Sequence, residues 1–376
     1  IDELAVRLKK IEAVASKNDD SLEQRARIES VEKQVSQMAT TGAMRQSEES
    51  GTPIHGFADV GAGTASGETR RGFTVGSLDF YLIPQLSDRT RALIELVFEI
   101  EAEGSVVVDL ERVQLGYTFN DAGTAWLGRF HTPYGYYNNA FHHGQQIATS
   151  LRRPRFIEFE DKGGILPAHT TGAWFTGGKR IAEGRVTYDV FAGNSPSIVG
   201  STLDMNQAGS ANRKWDAGAN LGYLFGNGLD GLKLGGHYWR ARVADDQANE
   251  TKVSMWGGYA VYDTDRWEHI AEMYRFDNSD ASGGTGRKKS TAAFVQLGYR
   301  ADKWTPYARH ERAALDQNDN YFAQQAFGAS YMRGALGLRY DLDLKSTLKW
   351  ELSKTRVRDR TPTDFNEALL QYAIRF

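Results

Sequence analysis

The stretch Thr90-Arg91-Ala92-Leu93-Ile94-Glu95-Leu96-Val97-Phe98-Glu99-Ile100-Glu101 changes character at almost every step. Ala92, Ile94, Leu96, Phe98 and Ile100 fall on one side of an extended chain, and Arg91, Leu93, Glu95, Val97, Glu99 and Glu101 on the other. A period of two marks a strand with one apolar face and one polar face. The end of the chain repeats it, with Ala368, Leu370, Tyr372, Ile374 and Phe376 opposed to Glu367, Leu369, Gln371, Ala373 and Arg375. Leu336, Leu338 and Tyr340 oppose Arg333, Arg339 and Asp341 in the same way.

Carried outward from these segments, the pattern predicts sixteen strands. They start near Ile54, Arg71, Thr90, Ser105, Gly123, Ala168, Arg185, Trp215, Leu232, Thr251, Trp267, Ser290, Trp304, Tyr331, Ser346 and Asp364. Two of them alternate poorly, at Val107-Val108-Asp109-Leu110-Glu111-Arg112 and at Glu268-His269-Ile270-Ala271-Glu272, where bulges are expected. The connections form two classes. Short ones such as Leu86-Ser87-Asp88-Arg89, Asp263-Thr264-Asp265-Arg266 and Leu342-Asp343-Leu344-Lys345 carry turn-forming residues. Longer ones span 62–70, 131–166, 195–214, 244–250, 277–289, 313–330 and 358–363, with a short exception near Gly104. Short–long alternation follows from an up-and-down barrel with turns at one end and loops at the other. Sixteen strands enclose more space than side chains fill, so the polar face belongs to a watery lumen. The apolar face then needs lipid outside, and the fold class is an all-β transmembrane barrel over residues 54–376.

Composition agrees. Glycine is 39 against 8 proline, and Tyr and Phe number 17 and 18, as in many twisted strands with aromatic girdles. With no cysteine, disulfide scaffolds, thiol catalysis and thiolate metal sites are excluded. A net charge of −3 argues against a nucleic-acid partner. No apolar run is long enough for a transmembrane helix. The first residue is Ile and no signal peptide is visible, so a processed or trimmed form is expected.

Residues 1–39 are unlike the rest, with no Gly, Pro or aromatic residue. Ile1, Leu4, Leu8, Ile11 and Ala15 recur at 3-4-3-4 spacing, Leu22 stays in phase, and Ile28, Val31, Val35 and Met38 resume the pattern after a one-residue slip. Such a narrow seam cannot bury itself, so it predicts a coiled coil. Leu8 at an a position with Ile11 at d favours three or four strands. Residues 40–53 are polar and read as a linker.

With these features in place, the chain resembles the Gram-negative trimeric outer-membrane porins. Gly128-Arg129-Phe130-His131-Thr132-Pro133-Tyr134-Gly135 is similar to the strand that leads into their constriction loop. Trp304-Thr305-Pro306-Tyr307-Ala308-Arg309 and Leu336-Gly337-Leu338-Arg339-Tyr340-Asp341 are similar to late porin strands. The heptads resemble those of the DcaP-like and phosphate-selective porin groups. The resemblance implies a homotrimer, a periplasmic coiled coil that staples the trimer or reaches peptidoglycan, contact with outer-membrane lipid and lipopolysaccharide, and Phe376 as the assembly signal. It implies passive diffusion of small hydrophilic solutes and a 131–166 connection folded into the lumen.

A pore works by width, charge and wall polarity. Arg152, Arg153 and Arg155 on that loop would form an anion-attracting rung, since arginine binds carboxylates bidentately. On late strands Arg300, Arg309, Arg333, Arg339, Lys349 and Arg375 would form a basic arc facing Glu95, Glu99 and Glu101 on an early one, interleaved by Glu311, Asp341 and Glu351, and Arg129 would also line the pore. Anionic solutes are the expectation. The alternative is an envelope-tethering barrel whose coiled coil binds cell wall or a partner. No catalytic grouping stands out, so no enzyme and no cofactor are expected. His131, His142 and His143 lack a regular ligand spacing and read as pore lining or loop packing. Asp316, Asn318 and Asn320 open like a calcium loop but lack its Gly and Glu, leaving at most a loose outer-loop calcium site with Asp277 and Asp280.

Overall fold

The structure, a computed structural model, describes residues 54–376 apart from 65–71, 85, 101–103, 121, 143, 206–208, 210–212, 282, 285 and 360–362. The expected coiled coil and its seam from Ile1 to Met38, the linker 40–53 and His143 lie outside the described residues.

The chain forms one sheet of eighteen strands. In order these are β1 (Ile54–Gly63), β2 (Gly72–Leu82), β3 (Thr90–Ile100), β4 (Val106–Asn120), β5 (Gly123–His131), β6 (His169–Ile181), β7 (Gly184–Asn194), β8 (Ser197–Val199) and β9 (Thr202–Asp204). They continue as β10 (Trp215–Leu224), β11 (Leu232–Ala244), β12 (Glu250–Asp263), β13 (Trp267–Asp280), β14 (Arg287–Tyr299), β15 (Trp304–Ala314), β16 (Tyr331–Asp341), β17 (Ser346–Val357) and β18 (Thr363–Arg375). The small hairpin β8–β9 sits inside a loop, and β7 pairs directly with β10. The other sixteen strands form the wall, each antiparallel to the next. Pairing of β1 with β18, from Phe57↔Arg375 to Gly63↔Leu369, closes the barrel. Beyond that ladder Gly56 and Phe376 exchange backbone bonds of 3.1 and 3.0 Å.

All sixteen wall strands begin at or near their predicted starts; the largest difference is at β14, which begins at Arg287 rather than Ser290. One expected bulge is present, where the β3–β4 register shifts between Glu95 and Leu96. The other is not. β13 stays in register with β14, and its weak alternation has another cause: its inward face mixes Glu268 and Glu272 with Ile270.

The two faces differ as the periodicity requires. Leu297, Leu336, Leu352 and Leu370 point outward, and Leu336 retains 65% of its surface. Glu268, Arg309, Glu311, Arg333, Lys349 and Glu351 point inward and are buried. Below the apolar band, towards the short turns, stand exposed Tyr262, Trp267, Tyr299, Trp304 and Trp350, with Trp267 packed on Tyr299 at 4.7 Å and Trp304 on Tyr340 at 4.3 Å. Above it, towards the long loops, Arg240, Arg242, Lys252, Arg275, Arg312, Lys354 and Arg356 are exposed on β11–β17. β1–β4 carry no exposed Lys or Arg among the described residues. Instead Phe73, Val75, Ile100, Val106 and Val108 leave that side apolar up to the strand ends.

Such an exterior is stable only against hydrocarbon. Leu336→Arg, flanked outside by Ala308 and Leu352, is expected to cost about 2–4 kcal/mol of folding stability in lipid vesicles. Leu342→Arg, in the turn after β16, is expected to leave the urea midpoint unchanged.

Candidate functional site

The connection between β5 and β6 is the longest in the described barrel, and it turns into the lumen. Two glycines prepare it. Gly128 has φ +127°, and a Cβ there would meet the Val113 carbonyl at 2.0 Å, so only glycine fits just before Arg129-Phe130-His131. Gly135 has φ +63°, and a Cβ there would meet Glu272 Oε2 and the Tyr274 hydroxyl at 2.5 Å, so only glycine lets the backbone approach the wall. The loop then makes one helical turn, α1 (Tyr137–Ala140), and a 3-10 turn over Arg155–Ile157. Its rings fill the space beside the wall: Phe156 meets Tyr274 at 5.1 Å, and Tyr137 meets Phe294 at 5.6 Å.

A loop without sheet partners must satisfy its peptide groups some other way. Here charged wall side chains do it. Glu272 accepts from Tyr136 N at 3.1 Å and Tyr137 N at 2.5 Å. Glu351 accepts from Leu151 N at 3.3 Å and Arg152 N at 3.4 Å, and Glu311 from Arg155 N at 2.8 Å. The bases take the carbonyls. Arg309 donates to Arg152 O at 2.6 Å and Arg153 O at 3.3 Å. Arg339 donates to Ile147 O at 2.7 Å and Ala148 O at 3.2 Å, and Lys349 donates to Gln145 O. Tyr307 and Tyr331 hydroxyls accept from Leu151 N and Phe156 N and donate to Glu351 and Glu311. Bonds with one ionised partner are about twice as strong as neutral ones.

The wall charges also neutralise one another. Arg309 pairs with Glu311 at 2.9 Å, and Arg333 with Glu367 at 3.0 Å and Glu351 at 3.5 Å. Arg339 pairs with Asp341 at 2.8 Å, and Arg300 with Asp263 at 2.6 Å and Glu268 at 3.0 Å. Arg309, Arg339 and Lys349, on the neighbouring strands β15–β17, thus grip the loop, while Arg300 stays with Asp263 and Glu268 at the foot of the wall. Across the lumen Glu95 is buried against Arg112 and 3.4 Å from His131, while Glu99 pairs with Lys162 at 2.8 Å. Arg129 donates to the carbonyls of Glu111 and Met205.

The three loop arginines part company. Arg153 is buried and holds the loop to itself, donating to Phe141 O at 2.7 Å, His142 O at 3.0 Å and Asn138 Oδ1 at 2.8 Å. Arg155 is buried over the Phe327 ring at 3.6 Å. Arg152 keeps 36% of its side chain exposed, 3.8 Å from Glu367. With exposed Asp161 and Lys162 it forms the water-facing edge of the loop. Sequence periodicity missed the carboxylates as loop receptors. Glu272, Glu311 and Glu351 all stand on inward positions, but which backbone they would meet has no sequence signal.

Two further loops lie on top. Tyr321 OH donates to Ile165 O at 2.6 Å, and Ala326 N to Ser201 O, beside the β8–β9 hairpin, at 2.8 Å. Tyr321 opens with α2 (Asn320–Ala323), capped by Asp319, which accepts from Tyr321 N at 3.0 Å and from Asn278 Nδ2 at 2.8 Å. Asp319 and Asn278 are thus spent on loop structure, and Asp316 accepts from Asn318 N at 2.9 Å in the same loop.

Glu351→Ala removes the acceptor of Arg152 N, of the Tyr307 hydroxyl and of one Arg333 contact, and one of the two acceptors of Leu151 N. It is expected to lower stability by about 3 kcal/mol, read by urea unfolding, and to speed amide exchange at Leu151 and Arg152. Burial pushes the Asp319 carboxyl up to about 6, against the two donors that favour its ion. A raised carboxyl pKa stabilises the fold fully below 3.8, and that contribution is lost as pH rises through about 6. Exchange of residues 315–330 is expected to slow on going from pH 8 to pH 5, after correction for intrinsic rates, and Asp319→Asn to abolish that dependence.

A closed sixteen-stranded barrel with a loop folded into its lumen defines the porin class of fold. No protein-family model matches the sequence, and no curated protein matches it. Solved structures match in fold. An anion-selective porin from Comamonas acidovorans is 11% identical, with 87% of this chain and 100% of that one covered and a TM-score of 0.60. The outer-membrane channel DcaP of Acinetobacter baumannii is 11% identical over 89% and 99%, with a TM-score of 0.56. OmpT of Vibrio cholerae, an outer-membrane protein in a trimer form, is 12% identical over 87% and 99%, at 0.54.

Proposed function

We propose that this protein is an outer-membrane pore that lets small hydrophilic solutes diffuse passively, as a homotrimer. The observation that carries it is the loop 132–168, held inside a closed barrel by inward charges. A constriction needs a fixed loop at mid-lumen, and this loop is anchored from β10 to β17. The apolar band, with aromatic rings below and exposed bases above, supports a barrel set in a bilayer with its long loops towards anionic lipopolysaccharide. β1 starts at the short-turn end, so the coiled coil proposed for residues 1–39 would lie on the periplasmic side. The apolar side over β1–β4, where the basic belt is missing, supports burial between protomers.

Selectivity rests on few charges. Arg153, Arg155, Arg309, Arg339 and Lys349 are engaged by the loop or the wall, so they hold the constriction in shape. Arg152, beside Glu367, and Lys162, paired with Glu99, keep the most side-chain exposure to water, and they are the residues proposed to favour anions. The fold likeness to a porin described as anion-selective agrees with that choice.

In planar bilayers under a salt gradient, the protein is expected to open in steps of three with a reversal potential of anion sign. Arg152→Glu combined with Lys162→Glu is expected to shift that potential towards cations. A cation sign for the unaltered protein would remove the charge assignment and leave the pore. No conductance from correctly folded trimer would remove the pore.

A further inference from the structure

Three histidines from the β5–loop–β6 segment meet where the lumen loop leaves the wall. His131 ends β5, His169 begins β6, and His142 lies on the loop between them. Their ligating nitrogens all fall within 4.8 Å of one another. His142 Nε2 and His169 Nε2 are 2.8 Å apart, and the rings of His131 and His142 stack at 3.3 Å. His142 and His169 are buried, and His131 is 12% exposed at its side chain.

We propose that these three imidazoles, with Glu111, form a binding site for a divalent late transition ion of the Zn2+ type. Three observations agree on it. The first is spacing. Zinc–nitrogen bonds of about 2.0–2.1 Å at tetrahedral angles put donor nitrogens about 3.3–3.4 Å apart, inside the range these three already span. Two imidazole nitrogens facing each other at 2.8 Å must share a proton or an ion. The second is orientation. Glu160 Oε1 is 2.8 Å from His169 Nδ1, and its other oxygen accepts from Ala168 N at 3.1 Å. A fixed carboxylate on one ring nitrogen sets the tautomer that turns the other nitrogen's lone pair to a metal. Glu111 Oε2 stands 2.5 Å from that second nitrogen, His169 Nε2, and supplies a carboxylate donor. The third is charge. Glu95 is matched by Arg112, whereas Glu111 and Glu160 converge on the two ring nitrogens of His169, so two carboxylates stand beside the cluster for one divalent ion to balance. Imidazole with carboxylate suits zinc, copper and nickel over calcium or magnesium. Because His142 belongs to the loop while the other two belong to the wall, the ion pins the loop at its root.

The test uses tag-free, full-length protein folded in detergent, with its folded state checked by heat-modifiable migration. After chelator treatment and dialysis, titration with Zn2+ is expected to give one equivalent bound per chain. Co2+ in its place is expected to give the visible absorption of a four- or five-coordinate imidazole site. His142→Asn, on the loop and outside the barrel ladder, is expected to remove both signals, and Glu160→Gln to weaken binding about 10–100-fold. Folded wild-type protein with no stoichiometric Zn2+ and no cobalt spectrum overturns the proposal, as does unchanged binding in His142→Asn. Neither readout depends on conductance, so the site stands or falls apart from the pore.

Discussion

The structure depends on one constraint: a wall that faces hydrocarbon cannot leave a peptide group unpaired on its edge. In lipid no water replaces a missing partner, so a sheet with an apolar outer face must close. The pairing of β1 with β18, finished by the Gly56–Phe376 exchange, meets that need. Once the barrel closes, its size follows from its strand number, and sixteen strands leave a lumen too wide for side chains to fill. What fills it becomes a separate problem, and the answer is the chain's own longest loop.

The loop faces the same constraint in a different setting. Its residues have no neighbouring strand, and the aromatic packing of Tyr137 and Phe156 keeps water from much of its backbone. Carboxylates therefore take amides and guanidinium groups take carbonyls. This explains why charged residues sit nearly fully buried on the inner wall without instability. Each has a counter-charge, a peptide group or both: Glu311 has Arg309 and Arg155 N, Arg333 has Glu351 and Glu367, and Glu272 has Tyr136 N and Tyr137 N. A buried charge is tolerable when paired and hydrogen-bonded. The cost is selectivity, since a guanidinium that holds a carbonyl is withdrawn from passing ions.

Much of this was readable beforehand, for reasons that differ residue by residue. The strand at Thr90–Ile100 was plain because one face meets apolar surroundings and the other polar ones, and the pleat sends alternate residues to each. β13 looked irregular because Ile270 shares the inward face with Glu268 and Glu272; the loop aromatics make that position apolar, and they lie far away in sequence. The β8–β9 hairpin was missed because three residues per strand are too few to show a period. The reading of Arg152, Arg153 and Arg155 as one rung treated neighbours as equals, whereas a turn over Arg155–Ile157 sends them to three environments. The histidines show the same limit. His142 and His143 stood out by adjacency, but the nitrogen that His142 meets belongs to His169, outside that run.

The barrel is legible from residue order alone: period two sets the faces, the spacing of turn residues sets the strand count, and the sign of each face sets lumen and lipid. These are local properties, legible within a dozen residues. What the lumen charges do emerges only in the folded molecule, because that depends on which backbone atoms the loop brings to them from more than a hundred residues away. Arg309 looks like a selectivity residue in sequence and is a clamp in space, since its partners at Arg152 O and Arg153 O come from a different part of the chain.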